Sequence, residues 1–448
     1  MGRLNPPQLL IISFICAILA GTALLSLPLS TEGPGRIKLV DSLFTATSAV
    51  CVTGLVVKDT GSQFAPFGKW VIFALFQAGG LGIMTFSTLF AVLLGRRIGL
   101  RESDAIRSSL DRQNIVGLRK LISYILAITV TMEAIAAACL FFRWRAITDW
   151  GVFETLENAV FHSVSGFCNA GFSLFRSSLE KFQADPVINI VMMAVIFTGG
   201  IGFVVIMDVI GMVLRKSPLS KLSLQSKIAL LMSFALIIGG AVLLLLLEKD
   251  HVMRMMSWPE RVWGALFQSV TARTAGFNTL PIGKMAAPSL LILIFLMFIG
   301  ASPGSTGGGI KTCTFAVVVA TVYSMFTNRR RTMILDRSLP KQVIREALVI
   351  FFLAVTWIFV MTVLVAYFEG RSLRGSAPLL KSMFEVVSAF GTVGLSTGIT
   401  EYLSDESKVC LIITMFAGRL GPLTLALAVA FRDKKEKFIF PEENVMVG

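Results

Sequence analysis

The chain has 448 residues, a mean hydropathy of +0.77, 55% hydrophobic residues and only 15% charged residues, where a soluble domain carries roughly 25% charge. The length would allow several water-soluble domains, and the composition excludes them. A formal net charge of +14 in a soluble protein would point to nucleic acid; in a membrane protein it points first to Lys and Arg collected in cytoplasmic loops.

Apolar runs of about 20 residues, enough to cross a hydrocarbon core of roughly 30 Å, recur along the chain. The first covers 9–29. Only Arg3 precedes it and no A-x-A cleavage site follows, so it reads as a membrane helix and not as a signal peptide. A short stretch carrying Ser48-Ala49-Val50-Cys51-Val52-Thr53-Gly54-Leu55 follows, then an apolar run at 70–94 containing Gly79-Gly80. A basic connection with Arg96, Arg97, Arg101, Arg107, Arg112, Arg119 and Lys120 leads to the next run at 121–142.

The same order then returns. Ser165-Gly166-Phe167-Cys168-Asn169-Ala170-Gly171-Phe172 precedes a run at 187–214 with Phe197-Thr198-Gly199, and Arg215, Lys216, Lys221 and Lys227 mark the next connection. After 226–247 comes Thr271-Ala272-Arg273-Thr274-Ala275-Gly276-Phe277, one residue shorter, and a segment at 289–326 with Phe298-Ile299-Gly300. Arg329, Arg330, Arg331, Arg337, Lys341 and Arg345 lead to 347–368, to Ser388-Ala389-Phe390-Gly391-Thr392-Val393-Gly394-Leu395, and to 408–431 with Phe416-Ala417-Gly418.

The marker glycines Gly54, Gly171, Gly276 and Gly394 are spaced by 117, 105 and 118 residues. Between each first helix and its marker lies a stretch too short and too polar to span, which reads as a half-helix that enters the membrane and stops. The expected fold is therefore an all-α polytopic membrane protein of four tandem helix–pore loop–helix repeats, with eight spanning helices and four re-entrant pore helices around a central ion pathway. The repeats cover 1–95, 96–215, 216–328 (with a broken second helix) and 329–432, followed by a cytoplasmic tail at 433–448. The basic excess lies in the connections and in Arg432, Lys434, Lys435 and Lys437, so that face and both termini are expected to be cytoplasmic.

Six scattered cysteines without a CxxC pair, and only His162 and His251, indicate neither a disulfide framework nor a zinc site. The in-membrane ionisable residues Glu133, Asp208, Arg273, Lys311 and Arg419 come with no nucleophile–base pair, which argues against a membrane enzyme. A rigid scaffold would leave the repeated glycines unexplained.

Non-helical backbone is tolerated at membrane depth where it is buried in protein or lines water. Four half-helices with their C-terminal ends pointing inward would favour a cation, and the carbonyls of the extended residues that follow can replace its hydration shell. Glycine permits φ > 0 and a close approach to the ion. The expected filter thus consists of Gly54, Gly171, Gly276 and Gly394 with Val52, Thr53, Asn169, Ala170, Thr274, Ala275, Thr392 and Val393. Carbonyl rings suit potassium, bound as the substrate ion, but leave potassium against sodium open. Arg273 is expected to tie loop carbonyls and to point away from the ion.

The run from Ile299 to Thr312 holds five glycines and Pro303, which no regular helix survives. Half-helices at about 289–299 and 313–326 with a loop between them follow. That loop, with Gly300, Gly304, Gly307, Gly308, Gly309 and Lys311, is either a gate beneath the filter or a rigid packing kink. It nearly spells a phosphate-binding loop, but Ile310 intrudes and the flanks are membrane spans. Arg419, next to Gly418, either meets this loop as an electrostatic barrier or pairs with Asp208 or Glu133. The glycines of the second helices mark either close helix packing or the pathway.

At these residues the chain resembles the Trk/Ktr/HKT superfamily of potassium transporters, over essentially its whole length. The features that carry the resemblance are four single-glycine pore loops, Thr271 to Asn278, the glycine-rich loop, and Phe416-Ala417-Gly418-Arg419-Leu420-Gly421-Pro422-Leu423. With its direct start and its short tail from Phe440-Pro441-Glu442-Glu443 to Gly448, it is most similar to the membrane subunits of the bacterial Ktr systems. The resemblance implies potassium uptake across the cytoplasmic membrane, with potassium held at the four glycines, a gating loop at Gly300 to Thr312 and a pathway arginine at Arg419. It also implies a homodimer with one pore per subunit, seated on a separate cytoplasmic nucleotide-binding ring of KtrA type. Membrane lipid is the other expected partner, and nucleic acid is not. Only Thr392-Val393-Gly394 echoes the T-V-G of tetrameric potassium channels, which leaves a sodium/potassium symporter or a less selective cation channel as the alternative.

Overall fold

The computed structural model describes residues 6–32, 37–93, 114–214, 216–329, 331–370 and 378–421. The Arg-rich connection over 96–112 and the tail at 433–448 lie outside the described residues. The described chain is helical, apart from one antiparallel hairpin of two-residue strands, Met333–Ile334 and Arg337–Ser338. The all-α expectation needs that small correction.

Among the described residues, four helices are long and apolar enough to cross a membrane: α1 (Pro6–Leu25), α4 (Asn114–Ile147), α8 (Leu224–Glu248) and α12 (Lys341–Glu369). Each is followed by a short helix: α2 (Leu39–Val50), α5 (Val152–Phe167), α9 (Trp258–Thr271) and α13 (Pro378–Gly391). The burial pattern is the reverse of a water-soluble bundle. The long helices leave Leu19, Phe142, Ile238 and Phe359 exposed, while Ser, Thr and Gln side chains of the short helices are buried. Apolar side chains facing outward are stable against lipid, and the polar interior is where backbone can leave the helix.

A third helix follows in each unit, and in the first it is continuous, α3 (Pro66–Leu93). In the second unit α6 (Pro186–Ile201) turns by 106° into α7 (Phe203–Leu214). The sequence reading ran one helix through 187–214; the break falls at Gly202, whose φ of 92° no continuing helix accommodates. The third unit has α10 (Ala287–Phe298) and α11 (Thr312–Phe326) on either side of an irregular segment. In the fourth, α14 (Asp405–Leu420) ends at Gly421, φ 83°.

Packing between units is cyclic. Helix α3 lies against α5, α6 against α9, α10 against α13, and α14 closes on α2. Each short helix is thus held between neighbours, with Phe44, Phe167, Phe267 and Phe384 fully buried.

Candidate functional site

Three of the short helices, α2, α5 and α13, end by one device. Val52 N–H donates to Ala49 O (2.9 Å) and Thr53 N–H to Ser48 O (2.7 Å); Asn169 and Ala170 do the same to Gly166 (3.1 Å) and Ser165 (2.7 Å), and Thr392 and Val393 to Ala389 (3.1 Å) and Ser388 (2.8 Å). This paired return is a Schellman cap, which stops the helix and satisfies two of its last carbonyls. The one-residue-shorter third loop closes directly, Ala275 N–H to Thr271 O at 2.9 Å.

One residue of each loop is in left-handed conformation: Val52 (φ 55°), Asn169 (57°) and Thr392 (49°) within the paired caps, and Thr274 (78°) in the third loop. Glycine usually takes that position. Side chains there cost about 1–2 kcal/mol each, a strain maintained only when surrounding structure enforces it. Two residues later come Gly54, Gly171, Gly276 and Gly394, again left-handed, with φ between 70° and 92°. Ser48 Oγ and Ser388 Oγ accept from the N–H of Gly54 and of Gly394, both at 3.1 Å, while Ser165 Oγ donates to Phe172 O at 2.8 Å.

These glycines meet in a closed ring. A Cβ on Gly54 would strike Ala170 O and stand 2.9 Å from Gly171 Cα; on Gly171 it would stand 2.9 Å from Ala275 O and 3.0 Å from Gly276 Cα. On Gly276 it would strike Val393 O and stand 3.2 Å from Gly394 Cα; on Gly394 it would strike Thr53 O and stand 3.0 Å from Gly54 Cα. The carbonyls of Thr53, Ala170, Ala275 and Val393, each just before a ring glycine, therefore crowd one small circle. The C-terminal ends of α2, α5, α9 and α13 reach it from four sides and bring their partial negative charge. The hydroxyls of Thr53 and Thr274 are buried there without a hydrogen-bond partner.

The second-helix glycines serve packing. A Cβ on Gly79, Gly199 or Gly418 would collide with the carbonyl oxygen of Val50, Phe167 or Phe390, each four residues before a ring glycine. These helix-end carbonyls lie against Cα–H groups, a weak but recurring contact. Gly300 is different: its Cβ would meet Gly308 O within its own loop.

Against the left-handed residues next to the ring lies the segment between α10 and α11. Its base is closed by a parallel bridge between Ile299 and Ile310, and Ala301, Ser302, Ser305 and Thr306 are buried. It docks into the break after α6: Ser302 N–H donates to Gly200 O (3.0 Å), Thr306 N–H to Gly199 O (3.2 Å), and Phe203 N–H to Gly304 O (3.1 Å). The interrupted helix and the irregular segment satisfy each other's backbone groups, as the membrane interior demands.

The same segment touches the left-handed residues of three loops. Gly308 N–H donates to Thr392 Oγ1 (3.0 Å), a Cβ on Gly307 would run into Thr274 Oγ1, and the Asn169 amide is 3.3 Å from Thr306 Oγ1. Gly304 (φ 75°) and Gly309 (φ 66°) take its sharp turns, and Lys311 Nζ donates to Gly307 O at 2.5 Å. Arg419 donates through Nη1 to Thr306 O and through Nη2 to Gly79 O at 2.9 Å. It meets the loop. Asp208, one of the two acids weighed as its partner, accepts from Ser223 Oγ (2.6 Å) and Ser226 Oγ (2.5 Å), and Glu133 accepts from Gln77 Nε2 at 3.1 Å.

Arg273 departs from expectation. It ties no pore-loop carbonyl: Nη1 reaches Ser233 O in α8 at 3.4 Å, and Nε has no partner. The loop is a residue shorter there, and its side chain turns outward toward the first helix of its unit. Sequence reasoning also missed Thr306, whose backbone and side chain contact Gly199, Phe167 and Arg419. It missed the Ser48, Ser165 and Ser388 caps too, although a Ser six residues before a marker glycine was a usable signal.

A family model described as "Cation transport protein" (TrkH) matches residues 10–438. The chain is 37% identical to Ktr system potassium uptake protein B of Bacillus subtilis, over 100% of this chain and 97% of the relative. It is 33% identical to the potassium/sodium uptake protein NtpJ of Enterococcus hirae, over 100% and 98% respectively. Among solved structures it matches the potassium transporter TrkH from Vibrio parahaemolyticus with a TM-score of 0.70 and 20% identity, over 94% of this chain and 85% of that one, a likeness of fold.

Proposed function

The chain belongs to the TrkH family of cation transport proteins, and from that premise we propose that it takes up potassium through the ring of Gly54, Gly171, Gly276 and Gly394, with the segment Gly300 to Thr312 as the gate beneath. The observation that carries this reading is the closed ring, in which the carbonyls of Thr53, Ala170, Ala275 and Val393 converge without a side chain between them. Carbonyl oxygens in such a circle replace the hydration shell of a monovalent cation. Val52, Asn169, Thr274 and Thr392 hold the inner edge of the filter. Arg419, Lys311 and the glycine-rich segment form the closed barrier, whose positive charge lies where a cation would pass.

In this reading the four units span 1–95, 96–215, 216–328 and 329–432, with eight crossings, cytoplasmic termini and the tail at 433–448 on the cytoplasmic side of a bacterial plasma membrane. The basic connections orient the protein. The protein acts as a homodimer with one pathway per subunit, regulated by a separate cytoplasmic nucleotide-binding ring of KtrA type; of this, only the existence of a further component accords with the system name of the Bacillus subtilis relative.

The test is rubidium uptake into proteoliposomes, with and without sodium. Absence of monovalent-cation flux, with and without a cytoplasmic partner, would overturn the assignment. A second reading, sodium/potassium symport or a less selective channel, is favoured by the potassium/sodium relative. It requires rubidium uptake to rise with sodium, or sodium itself to be carried.

A further inference from the structure

Behind the ring, each short helix presents a polar residue at one corresponding position. It lies nine residues before the ring glycine as Thr45, His162 and Glu385, and eight before it as Gln268 in the shortened third loop. All four are fully or nearly fully buried. What they reach differs. Thr45 Oγ1 donates back to Asp41 O at 2.9 Å, and both amide atoms of Gln268 have no partner. His162 Nε2 lies 2.9 Å from Ser173 Oγ, and Glu385 Oε1 accepts from Ser396 Oγ at 2.9 Å. Ser173 and Ser396 each stand two residues beyond a ring glycine, so the second and fourth units brace the strand leaving the ring in the same place.

Glu385 is the one carboxyl group of the four, and it makes the most contacts. Besides Ser396, its Oε1 accepts from Thr397 N–H (2.8 Å) and Thr397 Oγ1 (3.0 Å), and its Oε2 accepts from Thr400 Oγ1 (2.6 Å). Ser396 Oγ is in turn 2.9 Å from Thr400 Oγ1 and accepts from Gly398 N–H at 2.9 Å. Through these bonds the carboxyl group holds the exit turn of the fourth loop against α13. That turn begins just past Gly394, where the ring closes on Thr53 O and Gly54 Cα of the first unit.

We propose that Glu385 is a specificity-determining positioning residue: by holding Ser396, Thr397 and Thr400 it sets how closely the fourth loop closes on Thr53 and Gly54. The inference rests on reading the ring as the filter. Its carboxylate touches no ion; it acts through the loop.

The test compares rubidium uptake and sodium competition in proteoliposomes for wild type, Glu385→Ala, Glu385→Gln and Ser396→Ala, each checked for monodispersity. Glu385→Ala strands Thr397 N–H, and the preference for rubidium over sodium falls about tenfold, with a matching rise in half-saturating rubidium and little change in maximal rate. Glu385→Gln keeps a carbonyl oxygen for Ser396 and Thr397 while its amide faces the rotatable Thr400 hydroxyl, and it restores most of the preference. Ser396→Ala shifts preference in the same direction, and it decides the matter if Glu385→Ala is not recovered folded. A wild-type ion preference in Glu385→Ala, or in Ser396→Ala where that variant decides, overturns the inference while the filter reading stands. Glu385→Gln behaving like Glu385→Ala overturns it as well. A wild type without cation flux overturns the filter reading, and this inference with it.

Discussion

Arg419 and Thr306 are joined across 113 residues of sequence, the guanidinium of one donating to the backbone carbonyl of the other within the segment between α10 and α11. The second arm of the guanidinium takes Gly79 O at 2.9 Å, so one side chain of the fourth unit ties the third-unit segment to the first-unit helix. A charge at this depth is stable only with such partners. Because Thr306 also bonds Gly199 and Phe167, the segment is fastened to all four units.

Arg419→Ala removes two hydrogen bonds from a charged donor, worth about 1.5–3 kcal/mol each in such settings. The segment loosens, and rubidium flux in partner-free proteoliposomes rises several-fold with the rubidium/sodium ratio unchanged. Deleting residues within Gly304 to Gly309 acts in the same direction. Unchanged or reduced flux in both variants would show that no barrier stands there.

Gly54→Ser puts a side chain where Ala170 O already lies, on a backbone with φ 87°. The ring must widen between the first and second units. The expected outcome is a loss of potassium preference with retained folding, seen as sodium competing more strongly for rubidium uptake. Equal competition in variant and wild type would remove Gly54 from the filter.

Ser388→Ala deletes the acceptor for Gly394 N–H. A buried donor left without a partner costs about 1–3 kcal/mol. The half-saturating potassium concentration should rise by roughly tenfold or more at near-normal maximal rate. An unshifted value would mean that the hydroxyl does not hold the ring.

Lys408 and Asp41 form a buried ion pair at 2.7 Å between α14 and the first turn of α2. Lys408→Ala strands the carboxylate and destabilises by about 3–5 kcal/mol, read as a lower thermal midpoint in detergent. The double variant Lys408→Leu with Asp41→Leu recovers most of it, because replacing both charges with apolar groups leaves nothing unpaired. A single variant as stable as wild type would contradict the pair's role in closing α14 on α2.

Much of this architecture is legible in the residues themselves. Apolar length marks the long helices, since a bilayer sets the number of residues that must be apolar. The recurrence of Gly54, Gly171, Gly276 and Gly394 marks the loops, since a backbone with positive φ and a neighbour at contact distance admits little else. The five glycines and Pro303 between Ile299 and Thr312 mark an interruption, because helix propensity is a local property.

Tertiary structure alone decided what those features touch. Gly202 permits a break without requiring one; the break is stable because Ser302, Gly304 and Thr306 from the third unit supply the missing hydrogen bonds. The direction of Arg273 toward Ser233, the choice of Thr306 over Asp208 or Glu133 as partner of Arg419, and the contact of Glu385 with its own exit turn are likewise settled by packing. Residue type states that a buried charge or an open backbone group must find a partner. Which partner it finds depends on segments elsewhere in the chain, from 15 residues away for Glu385 and Thr400 to 113 for Arg419 and Thr306, which meet only when the elements pack.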